Sequence, residues 1–403
     1  MELSGIRNLD TLKVPGKTVL VRVDFNAPFQ DGVISDDGRI RAALPTINAL
    51  REQDCRVVLA SHRGRPNGER VRELSLVPIG ERLAELLDCD ICVPDDCVGD
   101  GAKKVIRDLP PRGVVLLENL RFHTAETKGD SVFASELASL ADAYVNDAFG
   151  TAHRAHASTY TVARFFSEDK RAAGRLIERE LEHLNPLLLN AETPFLGILG
   201  GAKVSDKIAV IENLLGRLNT LLIGGAMAYT FLAARGESVG SSLVQPDMLE
   251  IAKRLLVAAE ATRTKLLLPT DHVIAAAIGA EKGDVTEGAS IPFGMAGFDI
   301  GPKTIELYKQ EIARARTVFW NGPMGVFESS AFDGGTFAVA HALGDSKATV
   351  VVGGGDSAAA LKTAGRSDDV THVSTGGGAS LEFIEGRELP GIAALRAGHK
   401  FTM

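Results

Sequence analysis

The chain has 403 residues, 45% of them apolar, which is too long for one ordinary core and suits two domains of about 150 to 200 residues each. Its formal net charge of −8 at pH 7 argues against nucleic acid or a membrane surface as partner, because a phosphate polyanion is repelled overall, so basic function must be local. The opening MELSGIRNLDTLKVPGK lacks the apolar stretch of a signal peptide, and no run approaches the roughly 18 apolar residues that a membrane span requires, which predicts a soluble, cytoplasmic protein.

In chain order, short runs rich in Val, Ile and Leu alternate with segments of helical period, the pattern of βα units in a parallel sheet. Eleven runs are predicted strands: 18–25, 55–62, 90–96, 114–119, 143–150, 195–201, 220–225, 265–273, 317–322, 349–354 and 372–377. The fold class is therefore α/β. Between the fifth and sixth strands lies ARFFSEDKRAAGRLIERELEHLNPLLLN, long, charged and of helical period, with Pro186 near its end. It predicts an interdomain helix and a boundary near residues 170–185. Further on, SDKIAVIENLLGRL places Ile208, Ile211, Leu215 and Leu218 on one helical stripe. No repeat of fixed period stands out.

Nearly every predicted strand delivers polar or glycine residues at its C-terminal end, where open parallel sheets bind ligands. The N-terminal half supplies Arg22, Asp24 and Asn26 in RVDFNAP, Arg39 in a following loop, His62, Arg63 and Arg65 in SHRGRP, Arg121 and His123 in ENLRFH, and His153, Arg154 and His156 in GTAHRAH. Any one arginine is explained as a solvated surface charge; their shared position at one sheet edge implies a small, multiply charged anion. His153 and His156 lack accompanying ligands at zinc spacing, and adjacent Ser61 and His62 point to opposite faces of a strand, so neither a zinc site nor a serine nucleophile is expected. The cysteines of CDICVPDDC (89, 92 and 97) lie in a strand-like segment far in sequence from Cys55, and all four are expected to be ordinary buried thiols.

In the C-terminal half the strands end in glycine, in GILGGAKVSDK, LLIGGAMAY, WNGPMGVFE, VVGGGDSAA and VSTGGGAS. Glycine lets a backbone approach phosphates, and helix starts offer unsatisfied N–H donors, so these turns suit a nucleotide. Neither GxxxxGK[ST] nor a helix-opening GxGxxG is present. Lys203 and Lys207, four apart where a helix is expected to begin, would share one face. In TVVVGGGDSAAALK the acid Asp356 stands where a helix start would otherwise attract an anion. One physical resolution is a divalent cation such as Mg²⁺ between that carboxylate and nucleotide phosphates.

Taken together, RVDFNAP, SHRGRP, LLENLRFH, DAFGTAHRAHAST, GGAKVSDKI, NGPMGVFE, GGGDSAAA and STGGGASLEFIEG resemble the phosphoglycerate kinase family, in its order and spacing and over essentially the whole chain. The resemblance implies two Rossmann-like domains with parallel sheets joined by a helical hinge: 1–172 binding phosphoglycerate, 173–386 binding nucleotide, and a C-terminal segment, 387–403, packing back toward the first. It implies a monomer that transfers a phosphoryl group reversibly between 1,3-bisphosphoglycerate and ADP, giving 3-phosphoglycerate and ATP, with Mg²⁺, in glycolysis and gluconeogenesis. By the same resemblance Asp24 and Asn26 hold the glycerate hydroxyl, His62, Arg65, Arg121 and Arg154 grip the nonreacting phosphate, and Arg39 lies beside the reacting carboxyl. Lys203 and Gly377 serve the transferring phosphoryl and Lys207 the nucleotide phosphates. Asp356 ligates Mg²⁺ beside Gly354, Gly355 and Ser357. Gly225, Gly297 and Pro323 line the adenosine site, and Glu328 takes the ribose. Arg63, Arg175 and Ser357 depart from residues frequent in the family. A noncatalytic two-domain binding protein, or a kinase for another small carboxylate, is the alternative.

Overall fold

Every one of the eleven predicted runs contains a strand, ten of them a single strand shorter than the run and one, 265–273, divided between two. The computed structural model describes residues 5–401. They fall into two units, one made of the chain up to Glu182 together with the chain from Glu388 onward, the other of His183–Arg387.

The first unit contains β1 (Thr18–Val23), β2 (Phe29–Gln30), β3 (Val33–Ile34), β4 (Arg56–Ala60), β5 (Ile91–Cys92), β6 (Val114–Leu116), β7 (Ala143–Asp147) and β8 (Arg171–Ala173). Six of these make a parallel sheet in the order β5-β6-β4-β1-β7-β8, and β2 and β3 form a hairpin. Both faces of the sheet are covered, so the central strands are buried at successive residues rather than at alternate ones. Val19, Val21, Val57, Leu59, Leu116 and Val145 pack with Ile40, Ile47 and Leu50 of the helix Gly38–Glu52 and Ile79 and Leu83 of the helix Val77–Leu87. The strand order reverses at β1, which opens a crevice beyond its C-terminal end.

The second unit contains β9 (Phe195–Leu199), β10 (Thr220–Ile223), β11 (Lys265–Leu267), β12 (His272–Ala275), β13 (Asp284–Val285), β14 (Ala296–Ile300), β15 (Thr317–Asn321), β16 (Thr349–Gly353) and β17 (His372–Val373). Its parallel sheet runs β11-β10-β9-β15-β16-β17 and reverses at β9, while β13-β12-β14 form a small antiparallel sheet. Ile198, Leu222, Val318, Trp320, Val350 and Val352 pack against Tyr308 and Ile312 of the helix Pro302–Arg314 and Val339 and Leu343 of the helix Gly334–Asp345.

Four local expectations change. The segment 163–190 is not one helix: the 3₁₀ turns Thr161–Phe165 and Glu168–Lys170 and strand β8 precede the helix Arg175–Leu189, which carries Pro186 inside it. That helix starts where Asp147, at the end of β7, accepts hydrogen bonds from the backbone N–H groups of Leu176 (2.9 Å) and Ile177 (3.4 Å). Run 265–273 breaks into β11 and β12, because Pro269 has no N–H for a ladder and Asp271 is committed to capping the helix at Lys303 and Thr304 (2.9 and 2.8 Å). The helix after Lys207 spans only Ile208–Leu214 and buries Val210, Ile211 and Leu214, so Leu215 is its C-cap and not part of a stripe. The thiols are not uniformly buried: Cys55 and Cys97 are, Cys89 is half-buried and Cys92 is exposed.

Among the described residues no helix is long and apolar enough to cross a membrane. The chain from Glu388 onward rejoins the first unit: Asn146 donates to the carbonyl of Gly391 (3.2 Å), the Gly391 N–H to Ala152 (2.8 Å) and the Ala397 N–H to Gly5 (2.8 Å).

Candidate functional site

In the first unit a cationic cluster forms beyond the ends of β1, β4, β6 and β7. Arg22 is buried on β1, where its Nε donates to the Ser158 hydroxyl (2.7 Å), which in turn donates to the fully buried Glu126 (2.6 Å). That carboxylate supplies the counter-charge that lets an arginine sit in a β-sheet core. Arg22 Nη2 lies 3.2 Å from His62 Nδ1. Burial, reinforced by the charges of Arg22, Arg121 and Arg154 against the opposing pull of Asp24, pushes the His62 imidazole well below its ordinary pKa. With Nδ1 facing the Arg22 guanidinium as acceptor, the Nε2–H of His62 is left as a donor.

Asp24 follows β1 and pairs with Arg39. Burial alone would raise the Asp24 carboxyl; His62, Arg39 and Arg22 outweigh it and hold the pKa below the usual carboxylate range. Arg39 is the second residue of the helix Gly38–Glu52 rather than part of a loop. Asn26 accepts from the Gly64 N–H (2.9 Å), and Arg121 donates to the Gly64 carbonyl (2.7 Å), so the two peptide groups flanking Gly64 in the SHRGRP turn are both held. The remaining Arg121 atoms, Nε and Nη2, are buried without a protein partner. Burial and the neighbouring charges of Arg22 and Arg154 lower the Arg121 pKa to about 10. Arg154 is half-buried and donates to His153 (3.1 Å), and burial with the surrounding arginines lowers His156 to about 4. Arg65 is exposed in the turn after β4. Arg63 does not join the cluster: its guanidinium lies over the Phe29 ring (3.3 Å) and donates to the Ser75 carbonyl (3.0 Å).

Residues that sequence reasoning passed over build this site's frame. The Asn119 side chain accepts from the N–H groups of Arg63 and Arg121 (3.2 and 3.1 Å) and donates to the carbonyls of Arg63 and Leu74 (2.8 and 2.9 Å). Glu118 accepts from the N–H groups of Leu76 and Asn119 and from the Ser75 hydroxyl (2.8, 2.7 and 2.7 Å). Both stood in the quoted ENLRFH, but a side chain saturated by its own frame and one that binds a ligand look alike in sequence.

In the second unit the glycine turns divide into two kinds. Gly200, Gly201, Gly225 and Gly322 lock three strand-end loops together: Gly201 N–H donates to Pro323 (3.0 Å), Gly225 N–H to Met324 (2.9 Å), and any Cβ on Gly225 would collide with Gly201. The bare backbone expected at every strand end is therefore spent at β9, β10 and β15 on loop-to-loop packing. Gly355 and Gly377, by contrast, face open space. Gly354, with φ of 90°, caps the helix Gly355–Thr363, and Asp356 is exposed in its first turn. Ser357 is buried and accepts from the Gly322 N–H (2.6 Å), tying the loop after β15 to this turn. Gly297, in β14, leaves room for the Tyr229 ring, which a Cβ there would strike. Pro323 is half-buried and Glu328 exposed in the loop after β15.

Lys203 and Lys207 do not share a helix face. Lys203 has extended backbone before the 3₁₀ turn Val204–Asp206 and is exposed, while Lys207 follows that turn and donates to the Asn321 amide oxygen. Burial lowers the Lys207 pKa, and the carboxylates of Asp206, Asp356 and Glu385 oppose that shift. Asn321, at the end of β15, is buried with its Nδ2 unpartnered beside Gly354. A lysine, an orphan amide donor, two open glycines and one acid thus converge at one sheet edge. Among the described residues only Asp96, Cys97 and His123 form a group of three or more metal-type ligands, so Asp356 is not part of an all-protein cage. A single exposed carboxylate beside an open glycine turn fits Mg²⁺, which is commonly held by one or two acids plus substrate phosphates.

The family model described as Phosphoglycerate kinase matches residues 9–387. A relative named Phosphoglycerate kinase from Anaeromyxobacter dehalogenans (strain 2CP-1 / ATCC BAA-258) is 56% identical over 398 residues, which cover 97% of this chain and 99% of the relative. The solved structure of phosphoglycerate kinase from Coxiella burnetii superposes with a TM-score of 0.89 at 38% identity, covering 98% of this chain and 100% of that one. That of the enzyme from Pyrococcus horikoshii OT3 gives 0.83 at 34% identity, covering 97% and 98%. Two parallel-sheet α/β units with these edges belong to a phosphotransferase that uses a carboxyl group as acceptor. The chain is a member of the phosphoglycerate kinase family. Its activity is that of this glycolytic kinase, with a nucleotide and phosphoglycerate as small-molecule substrates.

Proposed function

We propose that the first unit holds 3-phosphoglycerate or 1,3-bisphosphoglycerate in its cationic cluster and the second holds Mg-ADP or Mg-ATP at the edge around Asp356. The observation that carries this reading is Arg121: two guanidinium nitrogens buried without partners, in a field of other cations that already depresses its pKa. A cluster under such repulsion is relieved by a multiply charged phosphate, with charge-assisted hydrogen bonds to fill the vacant donors. Arg121, Arg154, His62 and Arg65 take the nonreacting phosphate, Asp24 and Asn26 the glycerate hydroxyl, and Arg39 the carboxyl that reacts.

In the second unit Lys207 and the Asn321 amide donate to nucleotide phosphates, beside Gly354, Gly355 and Ser357. Gly225, Gly297 and Pro323 line the adenosine, and Glu328 accepts from the ribose hydroxyls. Asp356 would hold Mg²⁺, whose charge, when bound, neutralises that of the phosphates. The phosphoglycerate carboxylate needs no general base, since an unperturbed carboxyl is ionised at pH 7. Its oxygen attacks the γ-phosphoryl in line, forming the new O–P bond as the bond to the ADP oxygen breaks. Lys203, Arg39 and the backbone at Gly377 balance the charge on the oxygens in flight. The reacting atoms must come within roughly 3 to 3.5 Å, so the chemistry calls for hinge closure that brings both ligands together and excludes water.

The reading includes a cytoplasmic monomer working in glycolysis and gluconeogenesis. A coupled assay with 3-phosphoglycerate and Mg-ATP tests the reaction: ADP release that needs both substrates is expected. Turnover without 3-phosphoglycerate, or none with it, would remove the assignment.

A further inference from the structure

His123 stood in sequence among the sheet-edge cations, but its imidazole pairs with Asp96 and takes no part in the roles above; the first unit brings both together with Cys97 from two separate stretches of chain. One ligand atom from each lies within 4.8 Å of the other two. His123 Nε2 is 2.7 Å from Asp96 Oδ1, and the Cys97 backbone N–H donates to that same oxygen at 2.6 Å, so the carboxylate is fixed between the imidazole and the cysteine. The Cys97 side chain is fully buried, while those of Asp96 and His123 are 48% and 32% exposed. The thiol forms a floor, the other two form a rim, and an ion can enter from solvent. Stacking on Phe133, with centroids 5.1 Å apart, holds the His123 ring in place.

The donor set is one sulfur, one nitrogen and one oxygen. Mg²⁺ prefers oxygen alone, whereas Zn²⁺ accepts all three and commonly takes three protein ligands plus water in a tetrahedron. Zn²⁺ bonds of about 2.0 to 2.3 Å put neighbouring ligand atoms roughly 3.3 to 3.7 Å apart. The imidazole–carboxylate contact then opens by under about 1 Å, and no pair within 4.8 Å closes by more than about 1.5 Å. Burial, with Asp96 and Glu126 adding their negative charge, raises the Cys97 thiol well above its ordinary pKa. Without a cation the group stays protonated and inert; on coordination the S–H proton leaves to solvent as the metal–sulfur bond forms.

We propose that Asp96, Cys97 and His123 form a site for one zinc-class divalent ion, with water in the fourth position. Occupancy would cross-link the chain around residue 97 to the turn after Arg121.

The test uses the full chain, stripped with chelator and titrated with Co²⁺ and then Zn²⁺. One equivalent of Co²⁺ should give a near-ultraviolet thiolate charge-transfer band that Zn²⁺ abolishes and excess Mg²⁺ does not, with about one proton released per ion bound. The band should vanish in Cys97→Ser and persist in the double variant Cys89→Ser, Cys92→Ser. Co²⁺ affinity should fall at least tenfold in Asp96→Asn and in His123→Asn; these side chains are partly exposed, so the test survives if the buried serine misfolds. No thiolate band at saturating Co²⁺, a band that survives Cys97→Ser, one lost with Cys89 and Cys92, or unchanged affinity in His123→Asn would each overturn the proposal.

Discussion

The guanidinium of Arg121 gives one hydrogen bond, 2.7 Å long, to the carbonyl of Gly64, and its other two nitrogens lie buried with no protein group to receive them. A side chain so placed costs stability until an anion arrives. Sulfate or inorganic phosphate should therefore raise the melting temperature of the protein, by the linkage between binding and folding. In Arg121→Ala that rise should shrink, and KM for 3-phosphoglycerate should climb about 10- to 100-fold, the size of one or two charge-assisted hydrogen bonds. An unchanged KM, from initial rates at saturating Mg-ATP, would take the phosphate away from Arg121.

Lys203 is exposed and Lys207 half-buried against Asn321, so the two should separate in kinetics. Lys203→Ala should lower kcat about 10²- to 10³-fold, the usual cost of losing a group aimed at transition-state charge, with little change in Mg-ADP affinity. Lys207→Ala should instead weaken nucleotide binding measured by calorimetry. Equal losses of kcat and affinity in Lys203→Ala would recast it as a binding residue.

Asp356 stands alone in the first turn of its helix, where its own charge repels phosphate. Asp356→Ala should weaken ADP binding strongly in the presence of Mg²⁺ and leave it unchanged or tighter in chelator. A loss of the same size in both conditions would show that the carboxylate does not act through the metal.

The protein's stability should carry a pH dependence from two acids outside the catalytic roles. Burial raises Asp147 and Asp299 to about 7, against hydrogen bonds from Leu176 and Ile177 to the first and from Gly335 and Ile300 to the second. The unfolded value is about 4, so between about pH 4 and 7 the folded chain holds protons that the unfolded chain has released. Their contribution is fully present below pH 4 and is lost as pH rises through 7. Asp147→Asn keeps the accepting oxygen and removes the titration. In urea unfolding, the variant should gain on the wild type from pH 5 to pH 8; a difference independent of pH would sink this assignment.

What could be read in advance follows from how far each signal reaches along the chain. The runs TVLVRV and TVVVG identify strands unaided, because both faces of these sheets are buried and three consecutive apolar residues follow the opening threonine in each. Strand β8 is only Arg171–Ala173, with no β-branched residue; it forms because β7 and the carbonyls of Ala163 and Arg396 hold it, and those contacts are distant in sequence. Arg22, Asp24, His62, Arg121 and Arg154 were legible as a group since each follows or ends a recognisable strand. Arg63, in the same turn, gave no hint that its partner would be Phe29. Asn321 was hidden inside a glycine motif, and the meeting of Asp96 and Cys97 with His123 depends on how two loops fold back.

The return of the chain from Glu388 to the first unit sets the order in which the molecule can be completed on the ribosome. The stretch from His183 to Arg387 is complete in sequence before the first unit has what it waits for, Gly391 to receive Asn146 and Ala397 to reach Gly5. The half synthesised first is thus the half finished last, and a nascent chain stalled at Arg387 should expose that gap to proteases.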